Sequence, residues 1–113
     1  MAITPDSIRR GTVVLVRLAG GKAQSAVVVR SDLLAELSHA TILPIASEIR
    51  DGVGFRIDLA PDGRNGSRLP SQIMVDWAQT VHFSDMGQAI GHLDPAIMRP
   101  IARQTAIVLG FGR

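Results

Sequence analysis

The sequence predicts a mainly β protein with one C-terminal helix, folded as a small, strongly curved antiparallel barrel. Three observations carry this. Short β-branched runs recur along the first ninety residues, bounded by Gly, Pro, Asp and Asn. Few helical crossovers separate them, so neighbouring strands must run antiparallel. The clearest helical periodicity lies at the C-terminal end.

"GTVVLVRL" (11–18) is the first predicted strand, bounded by Gly11 and by Gly20-Gly21. "SAVVVRS" (25–31) is the second, paired with the first across the loop "AGGKAQ". "DLLAEL" (32–37) predicts one or two helical turns, with Ser31 or Asp32 as N-cap. "ATILPIAS" (40–47) is a third strand, and Pro44 implies an edge or a bulge, because it has no N–H for a ladder. "GFRIDLA" (54–60) alternates, with Phe55, Ile57 and Leu59 on one face. "PDGRNGS" (61–67) carries two turn signals, Asp62-Gly63 and Asn65-Gly66, and closes a hairpin. "SQIMVDWAQTVHF" (71–83) holds one strand or two short ones, and "SDMGQAIGHL" (84–93) is ambiguous, with room for a last one. In "DPAIMRPIARQTAIVLGF" (94–111), Asp94 is a natural N-cap and Pro95 fits the first helical position. Ile97, Ile101, Thr105 and Val108, with Met98, Ala102 and Leu109, form an apolar stripe at helical spacing. Gly110 is the stop signal, and Pro100 interrupts one internal hydrogen bond.

Residues 1–113 are read as a single domain. Of the residues, 46% are hydrophobic but only 4% aromatic, so the core must be aliphatic. There is no cysteine, which excludes a disulfide framework and any thiolate metal site. "MAITPDSIRRG" has no apolar h-region, so no signal peptide is expected; no apolar run is long enough to cross a bilayer. A cytoplasmic protein without a membrane partner is the expectation. Net charge is +2, with one Lys among twelve basic residues. That permits a polyanionic partner without requiring one.

Most site motifs fail. "GGK" (20–22) is not a phosphate loop: Gly is missing at position 16, and Ala23 stands where Ser or Thr is needed. His39, His82 and His92 are isolated, so no metal or other cofactor is expected. No GxSxG is present. Two residues stand out in "MVDWAQTV" (74–81). Asp76 is a carboxylate in an apolar run, and Trp77 is the only tryptophan. Strand alternation would group Asp76 with Met74 and Ala78. The plain reading is an outward-facing carboxylate. The functional one is an acid or base in a groove, with Trp77 stacking on a base or anchoring the wall.

Several co-ordered segments resemble the PemK/MazF family of bacterial toxins: "RRGTVVLVRL", "SAVVVRSDLL", "TILPIASEI", and "GFRIDLAPDGRNGSRLPSQIMVDWAQTV" followed by "MGQAIGHLD". The resemblance implies an SH3-like barrel of CcdB/MazF type and a homodimer. It implies metal-independent cleavage of single-stranded RNA and neutralisation by a cognate antitoxin protein. It makes Asp76 the general acid/base and puts Gln24 and Ser47 at phosphate-contacting positions. Lys22, Trp77 and Gln79 would bind RNA. The departures are specific. Gln24-Ser25 stands where the family usually has a catalytic Arg followed by Pro, and Ala46, followed by Ser47, where it commonly has Thr. Losing one such charge-stabilising donor typically costs ~2.7–4 kcal/mol of barrier, which implies a weakened enzyme. "RSDLL", "LPIAS" and "LGFGR" also resemble the CcdB branch, which binds DNA gyrase and cleaves nothing; its Trp-Gly-Ile tail is missing here. An inactive family member is the remaining alternative.

Overall fold

The computed structural model describes residues 8–18, 21–52 and 54–111. Among these the chain forms seven strands and one α-helix: β1 (Thr12–Arg17), β2 (Ala23–Val28), β3 (His39–Ala46), β4 (Arg56–Leu59), β5 (Ser71–Met74), β6 (Gln79–His82), β7 (Met86–His92) and α1 (Pro95–Val108). Every pairing is antiparallel. The order is β4-β5-β3-β2-β1-β7, with β6 also on β3.

The sheet curls without closing. No ladder joins β4 to β7 among the described residues. Register shifts along β1–β7 at Val13/Val14 and Val14/Val16 bend that edge inward, as bulges do. A loop nearly completes the ring: the connection from β4 to β5 folds over β7, and the His92 N–H donates to the Arg64 carbonyl at 2.9 Å. Here glycine is required. A Cβ on Gly91 would press into the backbone of Arg64, Asn65 and Gly66. Asn65, only 1% exposed, pins the loop from inside: its Nδ2 donates to the Ala60 carbonyl, and its Oδ1 accepts from the Ser67 N–H.

Strands apolar on both faces build two cores. Val14, Val16, Ala26, Val28, Ala40, Ile42, Val81 and Met86 form one cluster. Val13, Val27, Leu43, Ile45, Leu59, Ile73, Val75, Leu93 and Ile101 form the other cluster, which α1 covers. The alternation within β1 and β2 assigns neighbours to opposite cores. Asp94 caps α1, its Oδ1 accepting from the Ala96 N–H, and the helix runs through Pro100 to Gly110, which has the expected positive φ. Of the predicted stripe, Ile101 is fully buried and Ile97, Met98 and Val108 pack beside it. Ala102 and Leu109 stay exposed.

Three expectations change. β2 starts at Ala23, because Ala23 and Gln24 pair with Arg17 and Val16. The turn after Ser31 shortens to a 3-10 turn, Asp32–Leu34, with Ser31 as its cap. Pro44 is on neither an edge nor a bulge: β3 is central. The Val29 N–H donates to the Thr41 carbonyl, so odd-numbered residues of β3 turn their peptide groups toward β2. The missing N–H of Pro44 faces the other side, where the ladder is interrupted. Along β3, the ladder to β6 stops at Ile42, opposite Gln79, and the ladder to β5 starts at Ile45, opposite Ile73.

Candidate functional site

That interruption makes the site. Between β5 and β6 the chain leaves the sheet for a 3-10 turn, Val75–Trp77. Strand alternation therefore does not apply to Asp76, and the expected grouping of Asp76 with Met74 and Ala78 is corrected. Val75 anchors the turn. It is fully buried in the cluster with Ile101 of α1, and its N–H donates to the Phe55 carbonyl at 2.9 Å. With Val75 held inward, Asp76 and Trp77 are pushed outward, and Trp77 is 58% exposed.

Beside the turn lies a pocket of about 250 Å³, lined by Leu18, Gln24, Pro44, Met74, Trp77 and Gln79. Gln24 reaches it from β2 and donates through Nε2 to the Ile45 carbonyl at 3.4 Å. Gln79, first residue of β6, donates through Nε2 to the Trp77 carbonyl, also at 3.4 Å. Both bonds are at the long limit and hold the amides loosely.

The fold thus brings together three of the sequence-derived site residues, Gln24, Trp77 and Gln79. Asp76, Ser47 and Lys22 do not line the pocket. The Asp76 carboxylate is exposed and lies against Gly54, and no cation pairs with it among the described residues. Ser47 is exposed just past the end of β3. Lys22 is exposed just before β2, at the end where Arg17 pairs with Ala23.

Two supporting residues escape a sequence reading. Gly54, at φ 61°, brings the segment between β3 and β4 against Asp76. Gln72, 3% exposed, organises that same segment. Its Oε1 accepts from the Arg50 N–H at 2.9 Å and from Arg56 Nη1 at 3.2 Å, and its Nε2 donates to Asp58 at 3.0 Å. The available signals were a glycine pair around position 53 and a polar residue beside an apolar strand.

Comparison with known proteins identifies the family and the fold. A family model described as "PemK-like, MazF-like toxin of type II toxin-antitoxin system" matches residues 9–109. The chain belongs to the PemK/MazF family of toxins. No curated protein sequence matches it. The fold is similar to that of the Mycobacterium tuberculosis toxin MazF-mt6, with TM-score 0.77 and 21% identity over 90% of this chain and 99% of that one. It is similar to a mycobacterial endoribonuclease solved with its cognate antitoxin, with TM-score 0.73 and 19% identity over 93% and 95% of the two chains. A MazE-MazF structure from Deinococcus radiodurans gives TM-score 0.76 and 15% identity over 92% and 97%. As a PemK/MazF toxin, the chain keeps the family's sheet and C-terminal helix. No helix among its described residues is long and apolar enough to span a membrane.

Proposed function

We propose that this toxin is an endoribonuclease that cuts single-stranded RNA without a metal, acts as a homodimer and is neutralised by a cognate antitoxin. The observation that carries the reading is the exposed Asp76–Trp77 pair at the break between β5 and β6, next to a pocket of matching scale. Family membership supports it, as do the endoribonuclease and antitoxin complexes among structures of the same fold.

The chemistry divides among few groups. The ribose 2′-OH gives its proton to the Asp76 carboxylate as its oxygen attacks the adjacent phosphorus. The bond from phosphorus to the 5′ oxygen breaks, leaving a 2′,3′-cyclic phosphate. The departing oxygen takes a proton, which solvent supplies at so open a site. Ser47 and Lys22 are the donors offered to the charge building on the phosphoryl oxygens. Gln24 replaces the family's arginine with a neutral amide, so turnover is expected to be slow.

Incubating the purified protein with a long single-stranded RNA in EDTA, beside Asp76→Asn, tests the assignment. Cleavage that the substitution removes supports it; equal cleavage by both proteins rejects it. A second reading has an observation of its own: Leu109 and Phe111, at the end of α1, are 59% and 68% exposed. If they dock on gyrase, supercoiling is inhibited without RNA cleavage, and trimming 111–113 abolishes the inhibition. An inactive relative shows neither effect.

A further inference from the structure

We propose that the pocket beside Trp77 seats one unstacked nucleobase, and that Gln24 reads this base instead of contacting a phosphate. The inference rests on the RNA reading above and changes the role expected of position 24.

The lining decides between the two roles. Leu18, Pro44, Met74 and Trp77 give it apolar walls, and its polar groups are the two amides of Gln24 and Gln79. No cation lines it. A phosphate drawn into such a space would lose its hydration and find no compensating charge. A neutral aromatic ring loses little on entry and gains stacking.

Trp77 is built for that stacking. Its backbone is fixed in the 3-10 turn that Val75 anchors, and 58% of the residue stays open. Pro44, on β3, adds a rigid apolar ring to the lining. A volume of about 250 Å³ is below the ~300–1,000 Å³ of pockets that hold drug-sized ligands, and suits a single ring system.

The amides supply the reading. Each Nε2 is already turned to a backbone carbonyl, Gln24 to Ile45 and Gln79 to Trp77. Each Oε1 is therefore left as an acceptor for a base N–H. The cations lie outside the pocket: Lys22 and Arg17 are exposed at the β1–β2 end, where the sugar-phosphate chain of a seated nucleotide can run.

Trp77 is the sole tryptophan, so its fluorescence reports on the pocket. The experiment titrates the protein with single-stranded pentanucleotides of U, C or A, and with a pentamer of abasic riboses of the same length and charge. At least one base-bearing oligomer is expected to quench Trp77 saturably and to bind about 10-fold or more tighter than the abasic one, within the range measured for base–aromatic stacking. Gln24→Ala, and independently Gln79→Ala, should narrow the differences among the three base-bearing oligomers and leave abasic binding as it was. Equal affinity for abasic and base-bearing oligomers overturns the proposal. So does a Gln24→Ala loss shared equally by all four, which marks a phosphate contact. The titration needs no cleavage, so an inactive protein can still show the base seat, and an active nuclease can still lack it.

Discussion

Gly54 lies directly against the carboxylate of Asp76, so close that a Cβ at position 54 would collide with Oδ2. The contact joins the segment between β3 and β4 to the turn between β5 and β6. It makes the orientation of Asp76 depend on a residue 22 positions away.

Gly54→Ala tests that dependence. Its φ of 61° is left-handed, which costs an alanine about 1 kcal/mol, and the new methyl must displace the carboxylate. RNA cleavage by the variant is expected to fall about 10- to 100-fold, because small misplacements of a reacting group are costly. Thermal melting should shift by only a few degrees. Full activity would show that the Asp76 orientation seen here is not needed.

Gln72→Leu tests the organiser of the same segment. The substitution leaves the Arg50 N–H, the Arg56 guanidinium and the Asp58 carboxylate without their shared partner. Urea unfolding should show a loss on the order of 1–2 kcal/mol, the worth of the part-buried hydrogen bonds removed, since Arg50 and Asp58 are exposed and can turn to water. A loss below about 0.5 kcal/mol, the range of ordinary surface changes, contradicts the bridging role.

Gly91→Ala tests how the curled sheet is completed. The added methyl meets backbone atoms of Arg64, Asn65 and Gly66, so the loop must shift off β7 to admit it. Destabilisation of about 3 kcal/mol is expected, read as a drop in Tm of roughly 10 °C or more. An unchanged Tm would mean that the loop does not pack on β7 in solution.

The loop also carries a titration with a defined sign. The backbone N–H of Arg64, joined by that of Asn65, holds the Asp62 carboxyl below its ordinary value of 3.8. A depressed folded-state pKa means that the stabilisation is complete above about pH 3.8 and drains away as pH falls through the lower, folded value. The amide NMR shifts of Arg64 and Asn65 should therefore titrate with a midpoint below 3.8, and Asp62→Asn should remove that titration. A midpoint at or above the ordinary value contradicts the bonds.

Much of this architecture is legible in the sequence, because local chemistry dictates it. β1 and β3 follow from β-branched runs, and α1 from its Asp94 cap, Pro95 and Gly110. What escapes is set by tertiary pairing. The stretch 71–83 reads equally as one strand or two short ones, because nothing local says that Val75 is claimed by the core under α1 and that the ladder breaks there. Pro44 reads as an edge or bulge residue, because the break facing it comes from a segment thirty positions later. Gln72 has an unremarkable neighbourhood in sequence, and its three partners become visible only once β4, β5 and the segment after β3 are assembled. The site residues followed the same division. Trp77 and Asp76 stood out as residue types, while the pocket shared by Gln24, Trp77 and Gln79 is a property of strand order.

The most direct measurement is the rate at which a long single-stranded RNA is cut in EDTA by the wild-type protein and by Asp76→Asn. Detectable cleavage with cyclic-phosphate ends is expected from the first, and a rate lower by about 10²- to 10⁴-fold from the second, the usual contribution of a positioned base. Equal rates, or intact RNA in both reactions, would contradict the role given to Asp76.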